Sequence, residues 1–465
     1  MGEKLEKRFG LLTAICMVAG IVIGSGVFFK AEKVLTATAG DLPLGILAWV
    51  IGGLIMIVCA YTFSILATRY EKVNGIVDYS EAIVGEKFSY VVGWFMTVIY
   101  YPAMTAVVAW VSARYIFVLF GSNDITSGGC IALACFLMAS SFALNALSPV
   151  LAGKFQVSTT VIKLIPLYLM AIIGTIVGLS NGLLVENFTK APGLSEILAV
   201  KENLAPSASP LLTAVVGTSF AYEGWIVATS INSELKDAKR NLPKALIIGT
   251  LIVMLTYILY YVGLAGAAEN IVMIAGGEAG AKIAFSNVFS QIGGSLLFVF
   301  VAISCMGTLA GLTMGCSRGI FAIAVRGRGP KPEIFKTVDS QTGMATNSAV
   351  LGFFLTGFWL MYFYGANLVP KPWFGSFSFD SSELPIVTTY ALYVWLYVCM
   401  MKKEKDLSVF KRFVVPAAAI ACSLFMVYAT FVSHGVKTVG CYIVIFAAVQ
   451  LVGAVFYKKQ ENSLQ

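Results

Sequence analysis

Long apolar runs, broken at short intervals by small clusters of polar and charged residues, dominate the chain. Twelve of them, at 10–36, 44–69, 88–120, 127–146, 151–179, 210–234, 242–268, 285–325, 346–365, 382–401, 409–431 and 437–457, approach or exceed the roughly 20 residues that a helix needs to cross a hydrocarbon core. The pattern predicts an all-α polytopic membrane protein of twelve transmembrane helices, several long enough to tilt or to extend beyond the lipid. The first apolar run is itself a span, so no cleavable signal peptide is expected.

Two of these runs are interrupted. The first contains Gly24-Ser25-Gly26 at the depth where lipid offers no partner to an unwound backbone. The sixth contains Tyr222-Glu223-Gly224, which places a carboxylate and a glycine at comparable depth. One such triplet alone would be explained by close helix packing. Breaks in corresponding spans of two halves point instead to a transporter binding site at the midplane. Spans one and six correspond if the chain is one transmembrane domain over 1–465 built as a five-plus-five inverted repeat. The first repeat would be 10–179 and the second 210–401, with the two helices of 409–457 outside it. The halves share no convincing residue-level identity, so the repeat rests on topology.

The chemistry of such a break follows from the helix dipole. The outer half of span one would present free amides at Ser25, Gly26 and Val27 and the positive end of its dipole, a ready anion site. The inner half would present bare carbonyls at Ile21, Val22 and Ile23, which suit a cation. With Gly24 between them, and with carbonyls and an aromatic lid from Phe220, Ala221, Tyr222, Glu223 and Gly224, the site suits a zwitterion better than a sugar or a simple ion.

Composition agrees with the spans: 58% of the residues are hydrophobic and 12% charged, against roughly 25% charged in soluble domains. The net charge of +8 does not suggest nucleic acid, because the basic residues sit in short loops. Those loops alternate: Lys4, Lys7 and Arg8, then Lys236, Lys239 and Arg240, then Arg326, Arg328 and Lys331 fall on one side. The positive-inside rule puts that side, with both termini, in the cytoplasm. The nine cysteines lie in or at the edge of spans, with no loop pair to suggest a disulfide framework. One histidine, His434, and no ligand spacing leave no metal site to argue for, and no cofactor is expected.

Two intramembrane charges carry chemistry. Lys163 lies about nine residues, roughly 14 Å, from the cytoplasmic end of span five. It either snorkels to the interface or is a buried ammonium that donates to the exposed carbonyls of span one, where it would replace a bound sodium ion. Glu223 either pairs within the protein or faces the cavity; the sequence leaves both open. A channel would show rings of like charge or a filter repeat, and an enzyme a nucleophile–base or metal constellation. Neither pattern is present.

These residues carry a resemblance. The chain resembles the amino acid permeases of the amino acid–polyamine–organocation superfamily, most nearly the L-type amino acid transporters. Gly24-Ser25-Gly26-Val27-Phe28 matches the signature of span one, and Phe220-Ala221-Tyr222-x-Gly224-Trp225 that of span six. Glu234-Leu235-Lys236, Arg240-Asn241-Leu242-Pro243 and Ser317-Arg318 match further motifs. The resemblance implies a LeuT-type fold with helices one and six discontinuous, alternating access, and sodium-independent exchange of neutral L-amino acids. Proton-coupled symport, or an exchanger that also accepts cationic amino acids, is the alternative. It implies that Lys163 and Tyr257 stand near the two sodium positions of sodium-coupled relatives, with Ser304 beside Lys163 and Phe220 as an aromatic gate. Lys30-Ala31 departs from the proline that often follows the first signature. The loop 121–127 lacks the cysteine that links animal members to an accessory chain. A disulfide-linked partner is therefore not expected, and a bacterial inner membrane is the expected setting, with lipid and small-molecule amino acids as the partners.

Overall fold

The computed structural model describes residues 7–122, 124–200, 209–219 and 221–461. Ten of its helices are long and apolar enough to cross a membrane, among them Leu42–Ala67, Glu86–Leu119, Pro149–Ser180, Ala238–Ala267 and Gly280–Ala324. They match ten of the twelve expected spans. The other two are the interrupted ones. Span one is split into Leu11–Val22 and Gly26–Ala37. Span six is an α-helix, Pro210–Ser219, followed by a 3₁₀ helix, Trp225–Glu234.

The ends and bends of the spans have local causes. Span two starts where Asp41 accepts a hydrogen bond from the Leu44 amide at 2.8 Å, with Pro43 in the first turn, a position where its missing N–H is not needed. In span three Pro102 cannot donate to the carbonyl of Val98 four residues back. A π-turn, Met96–Tyr100, lies there, and Trp359 Nε1 donates to the Val98 carbonyl at 2.7 Å. The expected eighth span, 285–325, contains a corner: Ser290 takes φ +65 in the run Gly280–Ala324, so the straight helix starts after it.

Spans three and eight form the centre. The most apolar stretch of span three is 89% buried within the protein and that of span eight 72%, against 17% for the last span, Val436–Tyr457. Both halves of span one lie within this packing: Leu11–Val22 touches spans five, seven and eight. Ahead of it, the amides of Arg8 and Phe9 donate to the Glu234 carbonyl at 2.8 and 3.0 Å, and Lys236 N to the Phe9 carbonyl at 2.9 Å. The entry to span one is thereby tied to the exit of span six. Lys7 and Tyr457, near the two limits of the described residues, meet one face. Lys7, Tyr90 and Arg328 line one open vestibule of about 800 Å³ there, and Tyr457 packs on Tyr90 and Arg328.

Candidate functional site at the two helix breaks

The first break is a gap of three residues, 23–25. It leaves the carbonyls of the first half-helix without helical partners, and side chains from three other spans take most of them. Lys163 Nζ donates to the carbonyls of Gly20 at 2.8 Å, Ile23 at 2.6 Å and Ser304 at 3.1 Å. An ammonium has three donors, so these carbonyls saturate it, and the negative end of the half-helix dipole adds to the attraction. Lys163 is wholly buried. That overturns snorkelling, because the ammonium turns inward to the break.

Ser304 and Thr308, one turn apart on span eight, complete this end. Ser304 Oγ lies 3.1 Å from Ile23 O and 3.2 Å from Gly24 O, so its one proton is shared between them; Thr308 Oγ1 lies 3.2 Å from Gly20 O and 3.3 Å from Ile23 O. Thr308 is absent from the sequence-level set, although its four-residue spacing from Ser304 on an apolar helix is a legible signal. Span five shows a similar stripe. Gln156 Nε2 and Thr160 Oγ1 both donate to the Cys16 carbonyl, at 3.3 and 3.2 Å, on the face that carries Lys163.

Tyr257 joins the two breaks. Its hydroxyl lies 2.9 Å from both the Val22 and the Ala221 carbonyl, so its one proton is shared between the ends of spans one and six. Two of the expected bare carbonyls, Val22 and Ile23, are therefore already engaged by the protein. Ile21 is the one that receives no donor from another element among the described residues. At the start of the second half-helix the amides of Ser25, Gly26 and Val27 have no backbone acceptor among the described residues, which is the condition for an anion site.

Gly224 takes φ +101, a conformation that side-chain-bearing residues rarely adopt. Gly26 serves close approach: a Cβ there would lie 2.9 Å from Ala221 Cα. The missing side chain of Gly26 thus makes room for span six, not for substrate, while its backbone stays at the cavity. Glu223, 4% exposed, accepts a hydrogen bond from the Tyr100 hydroxyl, which the π-turn of span three delivers. Its carboxylate is paired within the protein. Tyr222 points away from the cavity: its hydroxyl donates to the Trp49 carbonyl at 2.8 Å. Phe220 lies outside the described residues.

What remains between the breaks is a cavity of about 20 Å³, lined by Ile21, Val22, Gly24, Ser25, Gly26, Glu223, Gly224 and Thr308, and by Met104, Val108 and Leu312 from spans three and eight. It has room for about one water. Its apolar wall is the part that sequence reasoning did not place, because those residues look like ordinary core.

Comparison with known proteins gives the family and the fold. The serine/threonine exchanger SteT of Bacillus subtilis is 30% identical over 329 residues, 71% of this chain and 70% of that protein. The human large neutral amino acids transporter small subunit 2 is 28% identical over 330 residues, and human Asc-type amino acid transporter 1 is 27% identical over 336; the matched stretch covers 60% of each. The crystal structure of MhsT in complex with L-phenylalanine superposes with a TM-score of 0.57 at 13% identity, over 93% of this chain and 100% of that one. This shows a shared LeuT-type fold. The model of the family described as amino acid permease matches residues 9–455, and the chain therefore belongs to the amino acid permeases, membrane transporters of amino acids rather than enzymes.

Proposed function

We propose that the protein is a sodium-independent exchanger of neutral L-amino acids that works by alternating access. The observation that carries this reading is the Lys163 ammonium, saturated by the carbonyls of Gly20, Ile23 and Ser304. A fixed cation there stands where an ion would otherwise bind. The substrate carboxylate is read onto the amides of Ser25, Gly26 and Val27, and the ammonium onto the Ile21 carbonyl and the span-six break. The side chain meets Met104, Val108 and Leu312. Glu223 lines the cavity but accepts the Tyr100 hydroxyl, which supports neutral substrates by holding the carboxylate to the protein. The repeat of 10–179 and 210–401 is read as the frame that moves. The face bearing the termini is read as cytoplasmic, in a bacterial inner membrane and without a disulfide-linked partner.

Proteoliposome uptake of labelled serine and leucine tests this. We expect uptake to need internal amino acid, to be unchanged when choline replaces sodium, and to ignore an imposed pH gradient. Excess arginine should not compete. Steep sodium dependence would remove Lys163 from the ion position, and uptake driven by a proton gradient into empty vesicles would favour symport. Arginine competition that vanishes in Glu223→Gln would show that the carboxylate serves substrate.

A further inference from the structure

The loop between span ten, Leu384–Lys403, and span eleven, Phe410–His434, carries an unbalanced charge on the face bearing the termini. Elsewhere on that face Lys7, Lys72, Arg326 and Arg328 each hold a carboxylate, of Glu71, Glu81, Asp78 and Glu86 in turn. The run 402–412 has five basic residues, Lys402, Lys403, Lys405, Lys411 and Arg412, against two acidic ones, Glu404 and Asp406. Both acids turn to the end of span two. Arg69 bridges the pair, and the Tyr70 hydroxyl also donates to Glu404, which is 3% exposed. Among the described residues, no carboxylate bridges any of the five basic side chains.

Two of the five are engaged by backbone. Lys403 Nζ donates to the Ala82 carbonyl, in the helix Gly75–Ile83. Arg412 Nε donates to the Met401 carbonyl at 2.8 Å, and its guanidinium lies 4.6 Å from the centre of the Phe413 ring. The Arg412 bond draws the start of span eleven onto the end of span ten, which brings Lys402 and Lys411 to one edge. Lys402, Lys405 and Lys411 are all exposed. Next to this edge the surface is apolar. Pro416 has no N–H to bond the carbonyl of Arg412 four residues back, and a π-turn, Phe410–Val414, starts the span. Val409 is 72% exposed and Phe410 56%, and Phe413 and Val414 are exposed with them. Lysine stems can lie along such a surface while their ammonium groups stay at its polar edge.

A cationic edge beside an exposed apolar patch, at the end of a membrane span, is complementary to one component of the bilayer. That component is a phospholipid with an anionic headgroup, which is drawn to a basic cluster next to a span. A zwitterionic headgroup gains far less, because its own cation opposes the lysines. We propose that Lys402, Lys405, Lys411 and Arg412 bind the headgroup of an anionic phospholipid whose acyl chains lie on Phe410, Phe413 and Val414. The site is apart from the two helix breaks. It stands whether transport runs by exchange or by symport, and needs only that the protein spans a membrane.

Native mass spectrometry of the full-length protein in detergent tests this, with phosphatidylglycerol and phosphatidylcholine of the same acyl chains as probes. The wild type should take up its first phosphatidylglycerol roughly fivefold more tightly than phosphatidylcholine. Combined Lys402→Gln, Lys405→Gln and Lys411→Gln should abolish that preference at an unchanged melting temperature in lipid-free detergent. Combined Lys239→Gln and Lys244→Gln, which removes exposed charge at the start of span seven, should keep it. Should the triple variant melt lower, Lys405→Gln alone must still reduce the preference about twofold. Combined Phe410→Ser and Phe413→Ser should weaken phosphatidylglycerol binding although every charge remains. Glycerol phosphate in excess should leave the lipid bound, because it lacks the acyl chains; displacement would mark a site for a free phosphate and overturn the lipid. Equal binding of the two lipids, or a preference that survives the lysine substitutions, would overturn the site.

Discussion

Lys163 shows how a single residue holds an otherwise unfavourable backbone. Unwinding a helix in a membrane leaves carbonyls that lipid cannot satisfy, and one ammonium answers two of them, Gly20 and Ile23, while also bonding Ser304 O on span eight. Thr308 and Ser304 share the Gly20 and Ile23 carbonyls, so removing the lysine does not orphan every acceptor. We expect Lys163→Ala to insert, to lose on the order of 1–3 kcal/mol of stability, and to exchange amino acids at less than a tenth of the wild-type rate, because the break loses its fixed charge. Detergent melting and uptake measured on the same preparation check this; full-rate exchange would end the surrogate-ion role. Lys163 was legible in the sequence as a charge in an apolar span, and Ser304 only through the family resemblance. Tyr100 was not, since a tyrosine in a long apolar helix gives no sign that a π-turn will aim it at Glu223.

At the scale of elements, the two broken spans are coupled at their breaks. Tyr257 bonds to carbonyls on both, and Gly26 meets Ala221 backbone to backbone. The left-handed turn at Gly224 brings its Cα toward span one, where an added Cβ would lie 2.9 Å from Ile21 Cγ2. Gly224→Ala thus combines an unfavourable φ with a clash. We expect it to cost about 1–2 kcal/mol from backbone strain alone and to abolish exchange while the protein still reaches the membrane. Fluorescence-detected size exclusion would report assembly and vesicle uptake the function; retained exchange would show that the turn can relax without disturbing the site.

For the molecule as a whole, the two faces are fastened differently. At the face bearing the termini, Arg326 bridges Asp78 at 2.5 Å and Glu81 at 2.8 Å. At the opposite face Glu383 joins Lys30 at 2.8 Å and His434 at 2.9 Å, tying the second half of span one to spans ten and eleven. Burial would raise the Glu383 carboxyl, but Lys30 and His434 outweigh it and hold it well below the usual carboxylate range. Lys30 belongs to the Lys30-Ala31 pair that departs from the proline of the family signature, and this pairing is its structural use here. Glu383→Gln should weaken the clasp and raise the population open on that face. The apparent affinity for substrate added there should then tighten about two- to tenfold, measurable as a lower half-saturation concentration; unchanged affinity would show that the clasp does not restrain opening. By itself the sequence determined the helical class, the positions of the spans, both breaks and the presence of a lysine within span five, because lipid forces each of these to appear as an apolar run or an exception within one. Only the tertiary structure decided which carbonyls are already occupied, that Gly26 admits a helix and not a ligand, that Glu223 is paired, and which apolar residues line the cavity. Those outcomes depend on contacts between spans far apart in the chain, where side-chain direction, not residue type, separates a wall of the cavity from ordinary core.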